Sequence, residues 1–161
     1  MSELFSVNVN AVKLRFASAH MATLGDELEP LHGHNYIVSC TVDGALTNDG
    51  WVIDFSIIKK ATEKACKSLD HKFLLQKKSE LIEINEDKDK WFVKFKELEY
   101  MFPKTDVFAL PIPNTTAEYL AKWLFDIIKE DILSIKEHNI HTMTVEVEEM
   151  PGQSGIYKSK I

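Results

Sequence analysis

Three features of the sequence predict an α+β domain: alternating strand patterns at the beginning, the same pattern at the end, and two segments of helical periodicity between them. The order is strand, strand, helix, helix, strand, strand. With 161 residues, 45% of them hydrophobic, the chain can bury one core, and residues 1–161 read as a single domain. No repeat, low-complexity tract or linker interrupts it.

The first strand runs from about Ser6 to His20, with Val12, Leu14, Phe16, Ser18 and His20 on one face. Thr23 to Leu31 holds Gly25, Pro30 and the acids Asp26, Glu27 and Glu29, a loop composition. Alternation returns from His34 to Val42, where His34, Tyr36, Val38, Cys40 and Val42 share a face, and Asn48-Asp49-Gly50 supplies the turn. Asp54 is placed to cap a helix in which Phe55, Ile58, Thr62, Ala65 and Leu69 form the apolar stripe, ending near Asp70-His71.

Leu81 to Phe95 reads as an inserted hairpin, its arms Leu81–Ile84 and Trp91–Phe95 flanking the charged turn Glu86-Asp87-Lys88-Asp89. Pro103, Pro111 and Pro113 mark loop. The second helix carries Leu120, Trp123, Leu124, Ile127 and Ile128, with Thr115 and Glu118 as its expected capping box. A strand from Thr142 to Glu149, the turn Pro151–Gly155 and a short strand through Ile156-Tyr157 finish the chain.

Charge narrows the function classes. Lys and Arg number 19 against 25 Asp and Glu, a net charge of −6, which is not the surface of a nucleic-acid binder. No run approaches a membrane span and no signal peptide is visible, so the expectation is a soluble, cytoplasmic protein that engages no membrane. Cys40 and Cys66 are too few and too isolated for a disulfide framework and read as buried thiols.

His32-Gly33-His34 points two imidazoles to the same side of an extended backbone, and His20 ends a neighbouring strand on the face that carries Leu14 and Phe16. Three imidazoles with an open position are the catalytic zinc arrangement, and three hydrogen-bonded histidines at a strand end are the plainer alternative. Cys40 is excluded from the set, since six residues of strand from His34 span roughly 20 Å. Asp70-His71 is either a helix-end histidine favoured by the macrodipole or a carboxylate orienting a general acid/base. Glu149 ends the apolar row Met143, Val145, Val147. It is either solvated at the sheet margin or receives donors, for which a cyclic guanidine-like edge is a natural partner. Glu29, three residues ahead of His32, could reach a metal-bound substrate.

Together these segments resemble a known family. Phe16–His20, Leu31–Tyr36, Trp51–Phe55, Leu69–His71, Asn114–Glu118 and Glu149–Tyr157 occur in the order found in the 6-pyruvoyl-tetrahydropterin and 6-carboxy-tetrahydropterin synthases. The resemblance implies the tunnelling fold, an antiparallel sheet with two helices on one face. It also implies a homohexamer of two trimers, with active sites at subunit interfaces. By the same likeness His20, His32 and His34 bind Zn2+, and Asp70 with His71 forms a proton relay. Glu149 anchors the pterin ring, Thr116 contributes to substrate binding, and the substrate is 7,8-dihydroneopterin triphosphate.

One departure redirects the expected reaction. The pyruvoyl and carboxy branches carry a catalytic cysteine six or four residues ahead of the first histidine of His-Gly-His, where this chain has Asp26 and Leu28. Glu29-Pro30-Leu31-His32-Gly33-His34 instead resembles the Glu-x-x-His-Gly-His branch, in which glutamate is the base. That branch implies retro-aldol cleavage to 6-hydroxymethyl-7,8-dihydropterin, a folate precursor. The alternatives are the carboxy reaction of deazapurine synthesis, the pyruvoyl reaction, and a pterin- or zinc-binding homologue without turnover.

Overall fold

The computed structural model describes residues 3–135 and 139–161. In chain order they form β1 (Phe5–His20), β2 (Thr23–Leu24), β3 (Glu27–Leu28), β4 (His32–Gly44) and α1 (Phe55–Leu69). Then come β5 (Lys72–Gln76), β6 (Glu83–Glu86), β7 (Lys90–Phe95), β8 (Leu98–Pro103) and β9 (Val107–Leu110). The chain ends with α2 (Ala117–Leu133), β10 (Ile140–Met150) and β11 (Gln153–Lys160).

The main sheet has the order β11-β10-β4-β1-β5-β9. β1, β4, β10 and β11 pair antiparallel, as the resemblance implies, but β5 and β9 join in parallel and make the sheet mixed. The reason lies in the connection. α1 crosses the sheet and hands the chain straight into β5, which then runs beside β1 in the same direction. The burial of Phe73, Leu74 and Leu75 in succession leaves no alternation by which the sequence announces that strand.

Both helices cover one face. Ile58, Ala65 and Leu69 of α1 and Leu120, Leu124 and Ile128 of α2 share a core with Leu14, Phe16, Tyr36, Val38, Met143, Val145 and Val147. The Asp54 side chain caps α1 by accepting the Ser56 N–H at 2.7 Å, as expected. The capping box expected at α2 is absent: Thr116 is the N-cap and makes no side-chain cap bond, because Thr115 is fully buried and engaged elsewhere.

The first strand also changes parity. A bulge between Asn10 and Arg15 places Val7 and Val9 against the core before it, and Leu14, Phe16, Ser18 and His20 after it. Val12, expected in the row of Leu14, therefore lies exposed.

The insertion is larger than a hairpin. β8 adds a third strand through the turn at Lys96, whose φ of 51° is left-handed, and the resulting sheet is ordered β6-β7-β8. Ile82, Trp91, Val93 and Phe95 pack with Met21, Phe73 and Leu75 in a second core, and Leu28 rests against it. The predicted loop from Thr23 contains its own small hairpin, β2 with β3, turning at Gly25 with φ 62°.

Candidate active site

Three strands deliver the central cluster. β1 ends where β4 begins, so His20 stands opposite His32 and Ser18 opposite His34. The pleat turns all three imidazoles to one side, with ring centroids 4.7, 5.3 and 4.8 Å apart pairwise. β10, on the other side of β4, brings Glu149, whose Oε1 lies 3.0 Å from His34 Nε2 and 4.0 Å from His20 Nε2. One ligand atom from each of His20, His32, His34 and Glu149 falls within 4.8 Å of the others.

The rings are oriented from behind. His20 Nδ1 lies 2.9 Å from the Thr115 carbonyl oxygen, and His32 Nδ1 lies 2.7 Å from that of Pro30. With a proton on Nδ1 donated to each carbonyl, both Nε2 lone pairs are free, as in metal-binding histidines whose other ring nitrogen is held by a carbonyl. Burial holds the His20 imidazole down at about 4, so it is neutral at pH 7. The Nε2 atoms of His20 and His34 are buried and make no hydrogen bond. Imidazole nitrogens converging with a carboxylate fit a zinc ion.

Gly33 serves strand pairing: a Cβ there would stand 3.0 Å from the Ser18 carbonyl oxygen, so the glycine permits the close approach of β4 to β1.

Beside the cluster opens a cleft of about 230 Å³ lined by His20, Glu29, Thr116, Glu118, Glu149 and Gly155, among others. The backbone N–H of Glu29 donates to the Ala22 carbonyl at 2.9 Å, which fixes the loop beside His20. Gly155 forms the opposite wall, where a Cβ would collide with the backbone of Ala117 and Glu118 at the start of α2. Glu118 thus faces the cleft rather than the capping box that its spacing from Thr115 predicts. Tyr36 also stands beside the histidines. It stacks on Phe16 at 4.7 Å and lies edge-on to His20 and His34, with its hydroxyl buried and unpartnered. Only its place in the row His32, His34, Tyr36 signalled this.

Asp70 and His71 are paired but stand elsewhere. Asp70 Oδ2 lies 2.9 Å from His71 Nδ1, while its Oδ1 accepts the Ala17 N–H at 2.8 Å. That backbone donor, aided by His71, holds the Asp70 carboxyl below the usual range. His71 takes a left-handed φ of 57°, and its own N–H donates to the Ala17 carbonyl at 2.7 Å. Its side chain, 82% exposed, borders a second groove along Ala17, Ala19 and Asn35, which alternate in the pleat with the site histidines. Within one chain the dyad and the cleft therefore open on opposite faces of the sheet.

The family profile described as 6-pyruvoyl tetrahydropterin synthase matches residues 11–160. The chain belongs to this family. A relative from Methanocaldococcus jannaschii, provisionally named 6-carboxy-5,6,7,8-tetrahydropterin synthase, is 37% identical over 147 residues, 90% of each chain. The Pyrococcus furiosus dihydroneopterin monophosphate aldolase is 37% identical over 59 residues, 37% of this chain and 50% of that one. Among solved structures, the Plasmodium falciparum 6-pyruvoyl tetrahydropterin synthase superposes with a TM-score of 0.93 at 32% identity, covering 99% of this chain and 100% of that one. The Plasmodium vivax enzyme matches with the same scores, in a variant whose catalytic residue, a glutamate, is replaced by alanine. The fold is accordingly the tunnelling fold of these pterin synthases. Among the described residues, no helix of the family member is long and apolar enough to cross a membrane.

Proposed function

We propose that this protein is a zinc-dependent pterin lyase that cleaves the side chain of 7,8-dihydroneopterin triphosphate to 6-hydroxymethyl-7,8-dihydropterin, with Glu29 as base. The observation that carries this reading is the company Glu29 keeps. It lines one cleft with His20 and Glu149, while both cysteines, Cys40 and Cys66, lie buried in the core. The catalytic glutamate of the Plasmodium vivax enzyme and the aldolase activity named for the Pyrococcus furiosus relative support it.

His20, His32 and His34 would hold zinc, which when bound polarises substrate oxygens and eases the loss of neighbouring protons. Glu149 accepts the adjacent N–H and amino groups of the pterin ring, and Thr116 borders the ring from the start of α2. Glu29 takes the proton of the outer side-chain hydroxyl, whose oxygen becomes a carbonyl as the bond between the two hydroxyl-bearing carbons breaks. The electron pair passes into the conjugated ring, and the phosphorylated two-carbon aldehyde leaves. His71, held in one tautomer by Asp70, returns a proton to the carbon left on the ring.

In this reading His71 comes from a neighbouring subunit, because its own chain presents it on the other face of the sheet. The exposed apolar side chains Ile37 and Ile156, which alternate with core residues, support assembly through that face into the family's hexamer. The test is the product formed by zinc-loaded protein, read by chromatography and mass. 6-Hydroxymethyl-7,8-dihydropterin is expected, and Glu29→Gln should keep its zinc but lose about a hundredfold to ten-thousandfold in kcat. A second reading, 6-carboxy-tetrahydropterin synthesis, is favoured by the name of the Methanocaldococcus jannaschii relative. A carboxy- or pyruvoyl-pterin product would establish a synthase reaction in place of cleavage, and tight pterin binding without product would make the chain a binding homologue.

A further inference from the structure

Met21 and Thr23, which follow His20, are held by side-chain amides. Gln76, the last residue of β5, is fully buried, and its Nε2 donates to the Met21 carbonyl at 2.7 Å. Its Oε1 accepts from the Thr115 hydroxyl at 3.5 Å. The carbonyl of the same Thr115 receives His20 Nδ1. Asn114 closes the frame: its Oδ1 accepts the N–H groups of Thr23 and Thr115, both at 2.9 Å, and its Nδ2 donates to the Thr23 carbonyl at 2.8 Å. Between these anchors the Ala22 carbonyl receives the backbone N–H of Glu29.

A buried primary amide is costly unless both ends are bonded, and an apolar residue would suit this strand end, where Leu74, Leu75 and Leu110 are fully buried neighbours in sequence or pairing. What the amide adds is direction. It ties the backbone just after His20 to the residue that holds the His20 ring, so the imidazole is gripped from two sides of one network. We propose that Gln76 is a positioning residue for the histidine centre. Through Met21 and Thr115 it keeps the Thr115 carbonyl within reach of His20 Nδ1, and so keeps Nε2 as the bare, ligand-presenting nitrogen. Removal of Gln76 frees the ring to take the opposite tautomer.

The consequence for metal binding rests on the proposed zinc site, but the tautomer belongs to the metal-free chain and can be read alone. The experiment compares full-length wild type, Gln76→Met and Thr115→Val by long-range proton–nitrogen NMR of the imidazoles, then by Co2+ titration. Wild type should show His20 protonated at Nδ1 only. Gln76→Met should show mixed tautomers and bind Co2+ about tenfold more weakly, the low end of what lost outer hydrogen bonds cost a metal site. Thr115→Val removes the hydroxyl but not the carbonyl, should shift the ring in the same direction, and decides the matter should Gln76→Met fail to fold. Val93→Ala, in the second core, should lower Tm and leave both readouts as in wild type. A single Nδ1 tautomer in Gln76→Met with Co2+ affinity within about twofold of wild type overturns the proposal. So does a Val93→Ala protein that disturbs His20 equally. Wild type that binds no Co2+, beside a Gln76→Met that still loses the tautomer, upholds Gln76 and removes the metal reading.

Discussion

Nε2 of His34 and Oε1 of Glu149 lie 3.0 Å apart without forming a hydrogen bond. Two atoms at that separation, neither satisfied by the other, are placed to share a cation or a donor from substrate. The two uses separate by substitution. His34→Ala should reduce bound zinc from about one ion per chain to under a tenth, measured by elemental analysis. Glu149→Gln should retain the ion and weaken pterin binding about tenfold to a hundredfold, the worth of charge-assisted hydrogen bonds. Loss of zinc from Glu149→Gln would make the carboxylate a ligand rather than a ring anchor.

Glu29 lines the cleft and His71 borders the other groove, so under the proposed mechanism a complete site needs two chains. Glu29→Gln and His71→Asn should each be nearly inactive. Unfolding the two together and refolding at equal ratio should restore about a quarter of wild-type activity, since half the chains supply each intact group. No recovery in the mixture would place both groups in the service of one chain.

Burial pushes the thiols of Cys40 and Cys66 up to about 12. The folded chain therefore keeps protons that the unfolded chain loses above about pH 8.5, and stability present below that pH declines as pH rises toward 12. The decline should be roughly 1.4 kcal/mol per pH unit for each thiol. Urea unfolding between pH 8 and pH 10.5 should show a shallower alkaline loss for Cys66→Ala than for wild type. At pH 8 neither thiol should react with an alkylating reagent in the folded protein.

Gly155 packs against the backbone of Ala117 and Glu118. Gly155→Ala must push β11 from the start of α2, at a cost of about 1–3 kcal/mol. A lower urea midpoint, with KM raised because Thr116 and Glu118 shift, would be the signature.

The long, one-sided elements were legible because each buries one face and so alternates or repeats: β1, β4, α1, α2 and β10 all show it. β5 was illegible because Phe73, Leu74, Leu75 and Gln76 are buried in succession, one side by the main core and the other by the insertion. β8 was hidden by its turn, where Lys96 adopts a left-handed φ with no glycine or asparagine to announce it. At the site, pleat parity alone puts His20, His32 and His34 on one side, and Glu149 could be read from its place at the end of an apolar row. Gln76 and Tyr36 could not, because their importance comes from neighbours distant in sequence.

The bulge between Asn10 and Arg15 has a mechanical consequence. A pleated strand can slide by two residues without turning its faces over, and in an uninterrupted strand such a slip at Phe5 would travel the whole length to His20. The register shift between Asn10 and Arg15 interrupts that transmission, so a slip in the outer half of β1 need not reach His20. The outer half can be trimmed, fused or remodelled while the inner half keeps its chemical alignment.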